Sequence, residues 1–172
     1  SLHTKVEGIL DQAETLSSRP QSQDLALVQT SEAAAAAKQS ILDALAAGRG
    51  DGLMSELSSW FSSAADSLNA KFGGRYLFSG GQSETEPISA QSLEDLTGPP
   101  IATQFKNDGL ITVSRLDESA TMETGFLASD LATGLFTAFR DVQAYVEANG
   151  PFTGQLTTAQ ANFLQGMLDD FE

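Results

Sequence analysis

Apolar residues recur at helical intervals through most of the chain, and one central stretch breaks the rhythm. Leu2, Val6, Ile9, Ala13 and Leu16 fall on one face of a helix. The polar run SSRPQSQ follows, and its Pro20 predicts a break or a kink, because proline removes a helical hydrogen bond. A second helix is expected from about Asp24 to Ala47, with Leu25, Val28, Ala35, Leu42 and Leu45 on its apolar face. Its middle, Ala33–Ala37, favours helix and lets a neighbouring helix come close. The stretch GRGDG at 48–52 reads as a turn. Gly48 would end one helix, Gly50 would permit a sharp bend and Asp51 would cap the next. A third helix carries Leu53, Leu57, Trp60, Ala64 and Leu68 on one stripe. Long amphipathic helices joined by short connections pack antiparallel, so this part predicts a helical hairpin or bundle.

The middle changes character. RYLFSG is short, aromatic and bounded by glycine, which predicts a strand. EPISAQSLEDLTGPPI is rich in turn formers and holds Pro87, Pro99 and Pro100. KNDG is a hairpin-turn signal before LITVSRL, where Leu110 or Ile111, Val113 and Arg115 alternate between faces. Helix returns after Ala128 with Leu131, Leu135, Phe139, Val142 and Val146, and NGP at 149–151 ends it. Thr157 and Gln160 fit a capping box before a last helix with Phe163, Leu164, Met167, Leu168 and Phe171. The expected fold is mainly α with a small β-rich insertion, an α+β arrangement. Its antiparallel helical bundle is formed by the N- and C-terminal segments. Residues 1–72 would supply the first helices, 73–127 an outer β-rich insertion and 128–172 the returning helices.

Charge narrows the functions such a bundle can serve. The 172 residues include 23 acidic and 9 basic ones, a net charge of −14. Phosphate affinity comes from neutralising lysines and arginines, so nucleic acid is not an expected partner. The same excess argues against an anionic membrane surface, and no stretch reaches the about 20 apolar residues of a membrane span. Cysteine is absent, which excludes disulfides and thiolate chemistry. The start SLHTKVEG has neither the basic nor the apolar region of a secretory signal. With no initiator Met and an abrupt end at LQGMLDDFE, the sequence reads as a trimmed piece of a longer chain.

Candidate chemistry is sparse. His3 is the single histidine, so triads and multi-histidine metal sites are excluded, and a solvated position near the chain end is expected for it. Glu94-Asp95, Asp117-Glu118 and Asp169-Asp170 are adjacent pairs whose side chains diverge, a poor basis for an acid–base dyad. No catalytic residue, cofactor site or metal site is expected. The glycines of FGGRYLFSGG, residues 72–81, follow a helix and precede a strand, the reverse of a phosphate-binding loop. Arg49-Gly50-Asp51 could display an adhesion tripeptide, but turn formation explains the same residues. Asn107-Asp108-Gly109 has none of the spaced ligands of a calcium loop and reads as a hairpin turn. Trp60, Phe61 and Phe72 are expected in the core or between helices, with an aromatic binding platform as the alternative.

The segments LVQTSEAAAAAKQSILDAL and LNAKFGGRYLFSGGQSETEPI together resemble the flagellin superfamily. In that family a helical hairpin runs into an Asn-x-x-Phe-x-Gly segment and then a strand leading to the outer domain. Asn69, Phe72 and Gly73 or Gly74 stand at those positions. Gly74, Arg75, Tyr76, Leu77, Phe78, Ser79 and Gly80, followed by Thr85-Glu86-Pro87, are most similar to the hook-associated branch at the hook–filament junction. The likeness is clearest over residues 25–90 and weaker through NDGLITVSRLDES and LFTAFRDVQAY. Two features depart from the pattern: the polymerising terminal helices are not visible, and GRGDG is shorter than the family's turn. AAKQSILDALAAG also has Lys38 but not the family's basic Arg motif for innate-receptor recognition, so that recognition is not implied.

The resemblance implies a structural, non-enzymatic subunit exported by the flagellar type III apparatus, with its chaperone, to the extracellular flagellum. It implies ring assembly through termini missing here, with a neighbouring hook-associated protein and flagellin as partners. Asn69, Phe72–Gly80 would form the elbow between bundle and insertion, and the fragment alone is expected to be monomeric. Two alternatives stand beside it. Flagellin itself is favoured by the Gln29-Thr30 segment and disfavoured by RYLFSGG; an extracellular adhesive module would use the insertion or the Arg49–Asp51 loop. An enzyme, resting on dispersed carboxylates, is the weakest reading.

Overall fold

The structure, a computed structural model, describes residues 18–80, 84–106, 113–115, 121–123 and 128–171. Helix α1 (Ser18–Ala47, 30 residues) and helix α2 (Leu53–Leu68, 16 residues) pack along each other after the turn at 48–52. On α1 the buried positions Gln23, Leu27, Thr30, Ala34, Ala37, Ile41 and Ala44 alternate four- and three-residue steps, the spacing of a coiled-coil seam. This seam is mostly small. The facing volume comes from α2, which buries Leu53, Leu57, Phe61, Ala64 and Leu68. Small residues on one helix make room for the bulky ones on the other in a shared layer.

Two expectations for this region need correction, and a third, Trp60 in the core or between helices, holds. Pro20 lies inside the first turn of α1 and breaks nothing, because amide groups there have no helical acceptor to lose. The expected apolar face of α1 is only partly the packed one: Val28 and Leu45 are half-buried, and Leu45 packs against the core. Leu25 is 60% exposed, Leu42 is 37% exposed and Ala35 is exposed, whereas Ala33, Ala34 and Ala37 are buried. Trp60 sits half-buried at the edge of α2, its indole N–H donating to Ser40 Oγ at 3.0 Å, and Phe61 takes the central position. The helix expected over Leu2–Leu16, and His3 with it, lie outside the described residues.

Helix α3 (Ala128–Asn149, 22 residues) buries Leu131, Leu135, Phe139 and Val142 as expected, with Ala132 and Phe136 added. Gly150, at φ 89°, ends it. Helix α4 (Thr158–Met167) opens with the expected capping box: Thr157 Oγ1 accepts from the Gln160 amide at 3.1 Å, and Gln160 Oε1 accepts from the Thr157 amide at 2.9 Å. Phe163 stacks on Tyr145 at 4.0 Å and Phe171 meets Phe139 edge-on at 5.0 Å, which fixes α4 and the following 3-10 turn against α3. Phe61 of α2 reaches the same cluster, 5.3 Å from Phe136 and 5.6 Å from Phe139.

Between the two helical halves lie short elements. Strands β1 (Lys71–Phe72) and β2 (Arg75–Tyr76) pair antiparallel, with Lys71 opposite Tyr76 and Phe72 opposite Arg75. The strand expected over RYLFSG stops after Tyr76. Leu77, Phe78 and Ser79 are all buried, which an alternating strand cannot achieve, so the chain turns inward instead. Strands β3 (Val113–Arg115) and β4 (Thr121–Glu123) form a second antiparallel pair, with Ser114 opposite Met122. The expected turn at Asn107–Gly109, with Leu110 and Ile111, lies outside the described residues.

Residues 84–106 hold two 3-10 turns, Leu93–Leu96 and Ile101–Gln104, and one isolated bridge between Ile88 and Phe105. Prolines 87, 99 and 100 supply no amide donor for a ladder, which keeps this stretch out of extended sheet. Its apolar residues are not set apart. Ile88, Leu93, Leu96 and Phe105 are buried in the same cluster as the helices, and both 3-10 turns pack on α3. The class read from the sequence, mainly α with a small β part, is the observed one.

Candidate functional site

The block that carries the family resemblance occupies the join between α2 and everything that follows. Asn69 terminates α2, its own amide bonding Ala65 O at 2.9 Å. Its side chain then reaches across the fold to Ile88. Asn69 Oδ1 accepts from the Ile88 amide at 2.8 Å, and Nδ2 donates to the Ile88 carbonyl at 3.1 Å. One carboxamide thereby replaces a neighbouring strand for a residue that is only 1% exposed.

After Asn69 the chain makes a tight hairpin. Gly73 (φ 61°) and Gly74 (φ 79°) both adopt the left-handed conformation, the pair demanded by a turn whose twist matches its strands. The Leu77 amide closes the base by donating to Ala70 O at 3.0 Å. Lys71 Nζ lies 4.5 Å over the Tyr76 ring. Phe72, expected in the core, is instead 40% exposed, because the hairpin projects from the end of α2. Leu77 and Phe78 then enter the core, and the Phe78 carbonyl accepts from the Ala128 amide at 3.1 Å, joining the elbow to the first residue of α3. Buried Ser79 donates its hydroxyl to Thr85 O, and Gly80 (φ 67°) turns the chain away. The ten residues Asn69 and Phe72–Gly80 are therefore one structure with two parts: an exposed basic and aromatic hairpin, and a buried junction. The partners Ile88 and Ala128 have no local sequence signal, since both lie far along the chain from the residues that bond them.

The Arg49-Gly50-Asp51 loop is a second organised feature. Arg49 and Asp51 pair at 2.8 Å, and Asp51 Oδ1 accepts from the Gly154 amide at 2.7 Å. The Gly50 amide donates to Gly154 O at 2.9 Å, the Leu156 amide to Gly48 O at 2.8 Å, and Arg49 bridges Gln155. The loop between α1 and α2 is thus clasped to the loop between α3 and α4. Asp51 does not cap α2, as the sequence suggested. The N-cap is Gly52, at φ 78°, and the Asp51 carboxylate is spent on Gly154 and Arg49. Those two donors, the Gly154 amide first, hold the Asp51 carboxyl below the usual carboxylate range. Gly50 is needed for closeness and not for a bend: a Cβ there would lie 2.5 Å from Phe152 Cβ. With its exposed carboxylate bonded to the Gly154 amide, the tripeptide works as a latch between the two loops.

The carboxylate pairs weighed as candidate chemistry do not come together among the described residues. Glu94 and Asp95 are both exposed, and Asp95 spends its carboxylate on the Gln91 and Ser92 amides at 2.9 and 3.2 Å. Asp169 and Asp170 are exposed on the last turn, and Asp117 and Glu118 lie outside the described residues. Among the described residues no three histidine or carboxylate side chains gather as metal ligands, and no helix is long and apolar enough to cross a membrane.

No family model and no curated protein sequence matches the chain. Solved structures do. A protein from Vibrio parahaemolyticus described as a flagellar hook-associated protein superposes with a TM-score of 0.63 at 17% identity, covering 98% of this chain and 73% of that one. FlgL from Bacillus cereus superposes with a TM-score of 0.66 at 13% identity, covering 99% of this chain and 75% of that one. The resemblance read from the residues around the elbow is thus matched, over nearly the whole chain, by a fold shared with two flagellar proteins.

Proposed function

We propose that this chain is a structural subunit of the bacterial flagellum, joining hook to filament. The observation that carries the reading is the block Asn69–Gly80. The residues that resemble the hook-associated branch are the ones that build the join between the helical hairpin and the segment projecting from it. The shared fold with FlgL and with a hook-associated protein supports the same assignment. Such a subunit needs rigidity and surfaces, and no active site. The aromatic cluster of Phe61, Phe136, Phe139 and Phe171 and the clasp at Asp51 supply the rigidity.

On this reading the protein leaves the cell through the flagellar export apparatus, with a chaperone, and assembles as a ring. Its neighbours are another hook-associated protein on one side and flagellin on the other. Heterologous contacts between identical subunits generate such rings. Immunogold labelling of intact flagella with antibody to this chain tests the assignment. A single band where hook meets filament is expected. Label along the whole filament would instead make the chain a flagellin, and flagella without label would remove both assignments.

A further inference from the structure

Resting on the reading of this chain as an assembling subunit, we propose that the Lys71–Tyr76 hairpin of one copy seats in the groove between α1 and α2 of a second copy. The groove is an open cleft of about 570 Å³. Its floor is made of buried Ala33 and Ser67 and half-buried Ala36, half-buried Trp60 also lines it, and exposed Glu32 and Asp66 form its rims. Small residues leave the space, and the carboxylates give it a negative edge. A cleft of this size takes a large aromatic side chain with its immediate neighbours.

The hairpin is its chemical complement. Lys71, Phe72 and Arg75 are exposed, and Lys71 and Arg75 are two of only 9 basic residues in a chain with 23 acidic ones. An exposed aromatic flanked by cations is the composition of an interface anchor, where aromatic and Arg side chains carry most of the binding energy. Phe72 does not fill the groove of its own chain, since it is not among the residues that line it. The hairpin is closed against the end of α2 by the bond from the Leu77 amide to Ala70 O, and Phe72 remains 40% exposed there. A net charge of −14 argues against nucleic acid or an anionic membrane as the natural occupant of an acidic groove, and makes an exposed cation such as Lys71 unusual enough to act as a steering element. Hairpin and groove are different surfaces, so their contact is heterologous and can repeat from copy to copy.

Zero-length carbodiimide coupling tests this on the whole chain at high concentration. Unlabelled and ¹⁵N-labelled protein are mixed, coupled, digested and read by mass spectrometry. Mixed-isotope peptides joining Lys71 to Glu32 or Asp66 are expected, and Phe72→Ala, which leaves the Lys71 amine in place and removes the aromatic anchor, should reduce them about tenfold. Mixing a Lys71→Glu copy with a Glu32→Lys, Asp66→Lys copy should give mixed-isotope pairs between position 71 of the first and position 32 or 66 of the second. Lys71 pairs of a single isotope composition only, or mixed pairs elsewhere but none at the groove, overturn the proposal. Flagellar labelling without these pairs removes the hairpin contact and leaves the assembly reading intact. Pairs without flagellar labelling leave the contact standing and remove the flagellar reading.

Discussion

Asp51 and Gly154, 103 residues apart, are joined by a 2.7 Å hydrogen bond from the Gly154 amide to Asp51 Oδ1, so one carboxylate ties the first helical turn to the last. Because the folded-state pKa of Asp51 is depressed, its contribution is present above the unfolded value, about 3.9 for a free Asp, and is lost as pH falls through the depressed one. Asp51→Asn should therefore lower the urea midpoint at pH 7. The gap between wild type and variant should close as the pH drops below about 3.9. Trp60, the single tryptophan, reports the transition by fluorescence. A gap that persists unchanged at low pH would show that the charge of Asp51 is not what holds the loops together.

Gly50 and Gly48 lie in the same turn but should respond differently to alanine. A Cβ at Gly50 would lie 2.5 Å from Phe152 Cβ and 3.0 Å from Leu156 Cδ2, whereas a Cβ at Gly48 meets nothing within 4 Å. Gly48→Ala should cost about 1–2 kcal/mol, the penalty of a left-handed backbone at φ 68°. Gly50→Ala, at a position whose φ is not positive, should instead cost overpacking, about 1–3 kcal/mol, chiefly against Phe152 Cβ. In a Phe152→Gly background, which removes that Cβ, the cost of Gly50→Ala should shrink, since the clashing atoms are coupled only through direct contact. Equal costs in both backgrounds would mean that the two loops do not approach as closely as Gly50 and Phe152 require.

Much of this fold was legible because α2, α3 and α4 each bury one stripe of large residues: Leu53, Leu57 and Leu68; Leu131, Leu135 and Phe139; Leu164 and Met167. Helix α1 misled because it has two seams. Leu25, Val28 and Leu42 offer a second apolar row, yet the buried seam is the one through Leu27, Ala34, Ala37, Ile41 and Ala44. Packing favours what fits the partner over what is most hydrophobic alone, and α2 already supplies the bulk. At the elbow, the residue types were readable and their contacts were not. The resemblance drew attention to Asn69, but only the fold brings Ile88 to it. Asp51 went wrong for the same reason: a local cap was the simplest use for it, and a partner at Gly154 has no local signature.

Asn69 should be the most sensitive polar position of the elbow. Asn69→Ala removes both bonds to Ile88 and leaves a buried amide and carbonyl without partners. An orphaned buried group costs about 1–3 kcal/mol. Asn69→Asp keeps an acceptor for the Ile88 amide but turns the donor into an oxygen facing the Ile88 carbonyl, so it should still destabilise while leaving the amide bonded. Hydrogen exchange gives a site-specific readout: the Ile88 amide should exchange faster in Asn69→Ala than in Asn69→Asp, with amides in the middle of α2 far less affected.

Phe105 decides whether residues 84–106 melt with the helices or apart from them. Its ring lies 5.4 Å from Phe136 of α3, and it is 8% exposed within the helical core cluster. If that segment belongs to the same cooperative unit, Phe105→Ala should remove about 3–5 kcal/mol, the usual cost of deleting a buried aromatic. The loss should lower one transition seen alike by Trp60 fluorescence and by helical circular dichroism. If the segment were a separate unit, the two signals would stay at the wild-type midpoint, and the damage would be confined to fast hydrogen exchange around Ile88 and Leu93–Leu96. The contact with Phe136 favours the first outcome, because a ring shared between segment and helix transmits the loss of either to the other.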